Sequence, residues 1–232
     1  MKKVTAIILA GGIGSRMKSD ITKQNISLLG KTVFERTLDA FCHSALVSNI
    51  VVVARAEEAD DLRSKADKVG AKDVSVIIGG ETRAQSAKNG FLYACETADY
   101  VAIHDCARCL ITPQMIDSVI EAAFEGGAAT AACSVTDTVK VVGNDGIITS
   151  TIPRESVYRA QTPQVFDTKL YKSAINNAEN QLDLYTDDNM LVENIGGKIK
   201  CVDLGMYNIK ITTADDISLA EFILSQRGES HD

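Results

Sequence analysis

No apolar run in this chain approaches the length of a bilayer span, which excludes a membrane helix. No signal peptide is expected either, since Met1-Lys2-Lys3 runs straight into a short strand-like stretch, and the expected setting is the cytoplasm. Basic charge is scarce. Lys and Arg number 24 against 31 Asp and Glu, for a net charge of −7. That excludes the broad basic surface of a general nucleic-acid binder, so any anion site has to be local, with a few cations in one cleft. Repeats, low-complexity tracts and linkers are missing too. The 232 residues are 45% hydrophobic and 24% charged, an ordinary mix for a globular protein and enough to bury one large core. A single domain over 1–232 is the expectation. The six cysteines are scattered through this pattern and read as reduced thiols rather than a disulfide framework.

What is present is an alternation. "VTAIILA" (4–10) is a nearly continuous apolar run, as a strand buried on both faces requires. A helix follows with Val33, Phe34, Leu38 and Phe41 at helical spacing. Strands at 49–54, 73–78, 100–104 and 128–135 then alternate with helices at 57–69, 82–95 and 113–125. Helices at 168–178, 187–195 and 214–226 and a strand at 198–203 close the chain. This pattern predicts an α/β fold of Rossmann-like type, a mostly parallel sheet with helices on both faces. Residues 136–160 interrupt it: β-branched residues flank Gly143-Asn144-Asp145-Gly146 with no helix between, which predicts an inserted β-hairpin arm. A two-stranded hairpin is marginal alone, so the arm is expected to pack on something, a second subunit included.

In such sheets ligands gather beyond the carboxyl ends of the strands. That rule selects 10–24, 79–86 and 105–109. The first, "ILAGGIGSRMKSDITKQ" (8–24), carries Gly11, Gly12 and Gly14, then Arg16, Lys18 and Lys23, with no aromatic side chain to pack. Glycines that expose backbone N–H groups beside cations form a cradle for phosphate. Two familiar cradles are excluded. The dinucleotide fingerprint needs a third glycine where Met17 stands, and the P-loop needs a Gly-Lys-Ser/Thr that is absent.

Five further stretches follow in order: "GGETRAQSAKNG" (79–90), "IHDCAR" (103–108), "RAQTPQVF" (159–166), "TDDNMLVE" (186–193) and "NIKITTADDISLAE" (208–221). With the opening loop they resemble the 2-C-methyl-D-erythritol 4-phosphate cytidylyltransferases of the non-mevalonate isoprenoid pathway. The likeness covers essentially the whole chain. It implies a nucleotidyltransferase-type fold and transfer of CMP from CTP to a sugar-alcohol phosphate, with pyrophosphate released. The runner-up acceptor is another polyol phosphate such as ribitol 5-phosphate. A third reading is a nucleotide-binding homologue without turnover.

The resemblance also implies roles. Arg16 and Lys23 hold the triphosphate and stabilise the α-phosphorus, and Lys210 joins them as the third catalytic cation. Gly11, Gly12 and Gly14 line the nucleotide loop, and Gly80, Glu81 and Ser86 receive the cytosine and ribose. Asp105 and Arg108 lie on the nucleotide side, with Asp105 also the candidate ligand for Mg²⁺. Thr138, Arg154, Thr186 and Asp187 face the acceptor, and Arg154 on the arm completes the site of a neighbouring subunit in a homodimer. Read without the family, Asp105 and Thr186 suit helix N-caps, Arg83 and Arg159 suit surface ion pairs, and His104 suits a structural place at a buried strand end.

Three positions depart from the family pattern. Thr22 stands for a common proline before Lys23, which removes a fixed φ and is expected to loosen the loop. Asn25 stands for an aromatic, and Cys109 for the proline after Arg108. Cys109 also completes Cys106-Ala-Arg-Cys109, a spacing that raises a redox motif or an oxidation-sensitive thiol pair as alternatives.

Overall fold

The computed structural model describes residues 2–12, 22–70 and 72–229. In chain order, β1 (Val4–Leu9) leads to a short pair, β2 (Ser27–Leu28) and β3 (Lys31–Thr32), and then to α1 (Val33–His43). The alternation continues through β4 (Val47–Ala54), α2 (Ala59–Val69), β5 (Asp73–Ile78), α3 (Arg83–Ala94), β6 (Tyr100–Asp105), α4 (Pro113–Gly126) and β7 (Ala128–Ser134). The arm is β8 (Val139–Val142) and β9 (Ile148–Ile152). After it come β10 (Tyr158–Asp167), α5 (Thr168–Ala178), α6 (Asp188–Asn194), β11 (Lys200–Asp203) and α7 (Ala214–Gln226).

Seven strands form the central sheet in the order β11-β7-β10-β6-β1-β4-β5. Neighbours are parallel except β10, which runs antiparallel to both β6 and β7. Alternation along β1 divides the core. Ala6 and Ile8 pack with α1, α2, α4 and α7, through residues such as Phe34, Leu62, Ile120 and Leu224. Ile7 faces the other way, into a cluster with Phe91 of α3, Tyr171 of α5 and Val192 of α6. Each of these large side chains contributes about 1.5–3 kcal/mol by leaving water. The expected helices on both faces are therefore present.

Local chemistry sets the helix ends. Thr32 accepts from the Glu35 N–H at 3.2 Å while its own N–H donates to the Glu35 carboxylate at 2.8 Å, a reciprocal cap for α1. Thr112 caps α4, Pro113 occupies its first turn, and Gly127 at φ 85° ends it. Gly90 allows close packing of α3 on the sheet: a Cβ there would lie 2.4 Å from Ile7 Cγ2 and 2.9 Å from Val53 Cγ2.

Two boundaries differ from the sequence expectation. The stretch 159–166, for which the sequence reading names no element, is most of β10, and Tyr158, Arg159 and Ala160 pair with β7 rather than belonging to the arm. The hairpin is accordingly confined to 139–152. Its turn closes with Gly143 N–H donating to Ile147 O at 2.9 Å, and Gly146 adopts φ 80°. Val142, Ile147 and Ile148 are exposed on it.

Candidate active site

From β1 the chain runs to β4 and β5 on one side, then crosses back to β6 on the other side of β1. That strand-order reversal opens a crevice at the carboxyl ends. A cavity of about 710 Å³ lies there. Its walls are the four segments that follow β1, β4, β5 and β6, closed by Lys23 and Gln24 and by Lys210 and Thr212. The register explains the convergence, since Leu9 pairs with both Val53 and Asp105.

Gly11, Gly12, Lys23, Gly80, Glu81 and Ser86 from the sequence reading all line this cavity. So do Asp105 and Lys210. Gly14, Arg16 and Lys18 lie outside the described residues. Lys23 begins a single 3₁₀ turn (Lys23–Asn25), and its Nζ donates to Ile211 O at 3.2 Å. Thr22 holds φ −68°, the value a proline would impose. Instead of a ring, hydrogen bonds hold the segment: Thr22 Oγ1 donates to Glu58 and accepts from Asn25 Nδ2 at 3.1 Å. The expected slackness is thus countered by two of the departing residues themselves.

Asp105 ends β6 in the floor of the cavity. Lys210 Nζ donates to its Oδ2 at 2.8 Å and Arg83 Nε to its Oδ1 at 3.1 Å. Burial alone would push this carboxyl up, but Arg83 and Lys210 outweigh it and hold Asp105 well below the usual carboxylate range. Asp105 is not a helix N-cap, because Thr112 caps the helix that follows. Lys210 is brought in by backbone pairing of its neighbour, with Ile211 N–H donating to Ala107 O at 2.8 Å.

Arg83 is the residue that sequence reasoning missed. Its sequence context suits a surface ion pair, yet it lines the cavity and bridges Asp105 to Asp188, donating from Nη1 to Asp188 Oδ2 at 2.8 Å. The signal was positional: Arg83 opens α3 immediately after the glycine turn beyond β5. In that turn, Gly80 N–H donates to Ser86 Oγ at 3.1 Å and Glu81 N–H to Gln85 Oε1 at 3.0 Å. A Cβ on Gly80 would sit 2.4 Å from Gln85 Cβ, so only glycine fits. Ser86 Oγ is engaged with the same turn, accepting from Gly80 N–H and donating to Gly80 O at 3.4 Å.

Thr138, Arg154, Thr186 and Asp187, expected on the acceptor side, do not line this cavity. Thr138 and Arg154 are exposed near the arm, and Arg154 Nη1 donates to Thr136 O at 3.0 Å. Thr186 is not the cap of α6; Asp187 is, accepting from Met190 N–H at 3.1 Å, while Thr186 Oγ1 contacts Met190 Sδ. Two adjacent cap formers compete, and the one three residues before the recipient N–H prevails. Asp187 also accepts from Gln164 Nε2 at 2.8 Å. Arg108 turns toward the 205–210 loop, where Nη1 donates to Asn208 O at 3.0 Å. His104 is structural: fully buried, it meets Thr162 Oγ1 through Nδ1 at 3.0 Å, and burial pulls its pKa down to about 3.

Cys106 and Cys109 are free, buried thiols. Burial pushes both thiols up, Cys109 to about 12, so neither forms the thiolate that redox exchange needs. The redox reading of Cys106-Ala-Arg-Cys109 is set aside on that ground. As for a divalent cation, no three His, Cys, Asp or Glu side chains cluster to hold one among the described residues. Asp105 is the one buried carboxylate in the cavity, and each of its oxygens already carries a cationic partner. This donor set is not a protein cage; it fits a cation that arrives on phosphate oxygens.

Comparison with known proteins agrees with this geometry. Residues 4–226 match the family described as IspD, 2-C-methyl-D-erythritol 4-phosphate cytidylyltransferase. The chain is 39% identical over 229 residues to the 2-C-methyl-D-erythritol 4-phosphate cytidylyltransferase of Pelotomaculum thermopropionicum, covering 98% of this chain and 96% of that one. It is 41% identical over 230 residues to the enzyme of that name from Lachnoclostridium phytofermentans, covering 97% and 98%. Among solved structures, the 4-diphosphocytidyl-2C-methyl-D-erythritol synthase of Anaerococcus prevotii superposes with a TM-score of 0.85 at 30% identity, covering 97% and 96% of the two chains. A strand-end cavity lined by Lys23, Asp105 and Lys210, on a fold and sequence shared from end to end with these enzymes, places the chain in the IspD family of 2-C-methyl-D-erythritol 4-phosphate cytidylyltransferases.

Proposed function

We propose that this chain transfers the cytidylyl group of CTP to 2-C-methyl-D-erythritol 4-phosphate, releasing pyrophosphate, in the synthesis of isoprenoid precursors. The observation that carries the reading is family membership over residues 4–226, joined to a cavity whose cations suit a triphosphate. A phosphate oxygen of the acceptor attacks the α-phosphorus in line. The new P–O bond forms as the bond to the β-phosphate oxygen breaks, and pyrophosphate leaves with that electron pair. No covalent enzyme intermediate is needed, so the protein's work is positioning and charge stabilisation.

Lys23, with Arg16, neutralises charge that grows on the α- and β-phosphate oxygens. Gly80, Glu81 and Ser86 present backbone and hydroxyl groups to cytosine and ribose, and Arg108 supports the 205–210 loop that carries Lys210, through Asn208 O. Lys210 meets the acceptor phosphate. Its ammonium has three donors and Asp105 takes one, which orients the other two. Thr186 and Asp187 lie on the acceptor side. A Mg²⁺ bound with the triphosphate would supply charge neutralisation there, and Asp105 is the carboxylate of this chain that would face it. The exposed Val142, Ile147 and Ile148 support a homodimer through the arm, with Thr138 and Arg154 delivered to the partner's site. Among the described residues no helix is long and apolar enough to cross a membrane.

Pyrophosphate release with CTP and Mg²⁺ tests this, with methylerythritol 4-phosphate and ribitol 5-phosphate as alternative acceptors. Release with the first alone is expected. Release with the second alone moves the chain to that acceptor, and CTP binding without release with either marks a silent homologue.

A further inference from the structure

The turn that carries Lys23 is poorly held by its own backbone. It has one 3₁₀ turn, with Asn25 N–H donating to Thr22 O at 3.0 Å and Ile26 N–H to Lys23 O at 3.3 Å. Thr22 provides no side-chain cap. An isolated turn of this length has little intrinsic stability. Yet Lys23 has to keep its ammonium at a fixed place in the cavity wall.

The missing support comes from the segment after β4. Glu58 precedes α2, where a carboxylate would ordinarily cap the helix, but its side chain makes no cap bond. It reaches across to the loop instead. Its Oε1 accepts from Thr22 Oγ1 and its Oε2 from Gln24 Nε2, both at 2.5 Å. The two oxygens thus grip the residues on either side of Lys23. Gln24 is almost fully buried, so its amide has few alternative partners. Two helical turns further along, Lys65 Nζ donates to Asn25 Oδ1 at 2.5 Å and to Asp61 Oδ2 at 2.8 Å. Asn25 in turn donates to Thr22. Thr22, Gln24 and Asn25 all face this bracket, whereas Lys23 reaches the opposite way to Ile211 O.

We infer that Glu58 is a positioning residue for the reaction: its carboxylate brackets Thr22 and Gln24 and thereby fixes Lys23 toward the triphosphate. The inference rests on the role proposed above for Lys23. It also accounts for two of the residues that depart from the family pattern. Where a proline would fix the turn by its ring, Thr22 supplies a hydroxyl for Glu58, and Asn25 ties the same hydroxyl to Lys65. Glu58 acts through Lys23 and contacts no reacting atom.

The test is a double-mutant cycle on the full chain. Wild type, Glu58→Ala, Lys23→Ala and the double variant are compared in kcat/KM for CTP and, by calorimetry, in CTP affinity without acceptor. Glu58→Ala is expected to lower kcat/KM for CTP about 10-fold, as a displaced catalytic group does, with KM for the acceptor unchanged. In the Lys23→Ala background the same change is expected to cost nothing further, because its route is already lost. Glu58→Gln is expected to recover most of the activity, since a flipped Gln24 amide can accept from the new N–H group. Thr22→Val removes one arm of the bracket at nearly constant volume and serves as a second entry to the cycle. Losses that add to that of Lys23→Ala, or that fall on the acceptor KM, overturn the inference. Absent turnover in the wild type overturns the activity reading, while the cycle in CTP affinity still tests the bracket. CTP affinity unchanged by Lys23→Ala removes the role of Lys23, and the inference with it.

Discussion

Arg83 Nη1 and Asp188 Oδ2 lie 2.8 Å apart, joining the first residue of α3 to the first residue of α6. Asp188 is 2% exposed, and its other oxygen accepts from Tyr171 OH at 2.5 Å. Burial works against the Arg83 charge, but Asp188 and Asp105 together raise its pKa. One guanidinium therefore neutralises a buried carboxylate and orients the floor of the cavity. Arg83→Met is expected to destabilise the fold by about 3 kcal/mol, because it strands the Asp188 charge. Urea unfolding measures this, and a loss under about 1 kcal/mol would mean that Tyr171 and solvent suffice for Asp188.

The low pKa of His104, about 3, makes a pH-dependent prediction with a definite sign. The folded pKa lies below the ordinary 6.5, so the native ring stays neutral where an unfolded histidine would take a proton. Its contribution is full above about pH 6.5 and declines as pH falls toward 3, by about 1.4 kcal/mol per unit well inside that window. Asp105 behaves in the same direction but only at lower pH, where an unfolded aspartate begins to protonate. Between pH 7 and 5 the slope therefore belongs largely to the histidine. Unfolding at pH 7, 6 and 5 should show it in the wild type and lose it in His104→Gln.

These sites also mark how far the sequence could be read. Strands such as β1 and β4 are continuous apolar runs, and their helices have caps and breakers at visible positions, so the alternation was legible. β10 was not, because Gln161, Thr162 and Gln164 are polar and buried. Their partners are far along the chain: Asn208 donates to Gln161 at 3.0 Å, Thr162 meets His104, and Gln164 serves Asp187. Hydropathy cannot report a strand whose burial depends on such pairs. Arg83 was hidden for the same reason, since its partners Asp105 and Asp188 are assembled only by the sheet.

Gly90 sits where α3 packs directly on Ile7 and Val53 of the sheet. Gly90→Ala would improve helix propensity by about 1 kcal/mol, yet its Cβ would lie 2.4 Å from Ile7 Cγ2. Overpacking of about 1–3 kcal/mol should win, lowering stability and displacing Arg83 and Ser86 on the same helix. Calorimetric melting checks the sign: a raised midpoint would show that α3 can shift without strain.

Thiol labelling separates burial from reactivity. Cys201 is exposed, whereas Cys106 and Cys109 are buried with raised thiol pKa values. Iodoacetamide on the native protein at pH 8 is expected to modify Cys201 first and to leave turnover intact. Peptide mass mapping that found Cys106 or Cys109 labelled early, with activity lost in step, would restore the oxidation-sensitive reading.

The two lysines of the cavity enter from different elements, Lys23 from the turn after β1 and Lys210 from the loop before α7, and both lean on that loop or its neighbour: Lys23 reaches Ile211 O and Lys210 reaches Asp105. If each serves its own substrate, their variants will divide the kinetics. Lys210→Ala should raise KM for the acceptor by about 10-fold or more, since one charge-assisted phosphate contact is lost, while CTP affinity stays near wild type. Lys23→Ala should weaken CTP affinity and also lower kcat, so that kcat/KM for CTP falls further than kcat alone, the mark of a contact made to the bound triphosphate and strengthened in the transition state. Asp105→Asn tests the link between them: the Lys210 anchor loses its charge, so the acceptor KM should rise in the same direction and by less. Acceptor KM unmoved by Lys210→Ala would assign that lysine to the nucleotide instead.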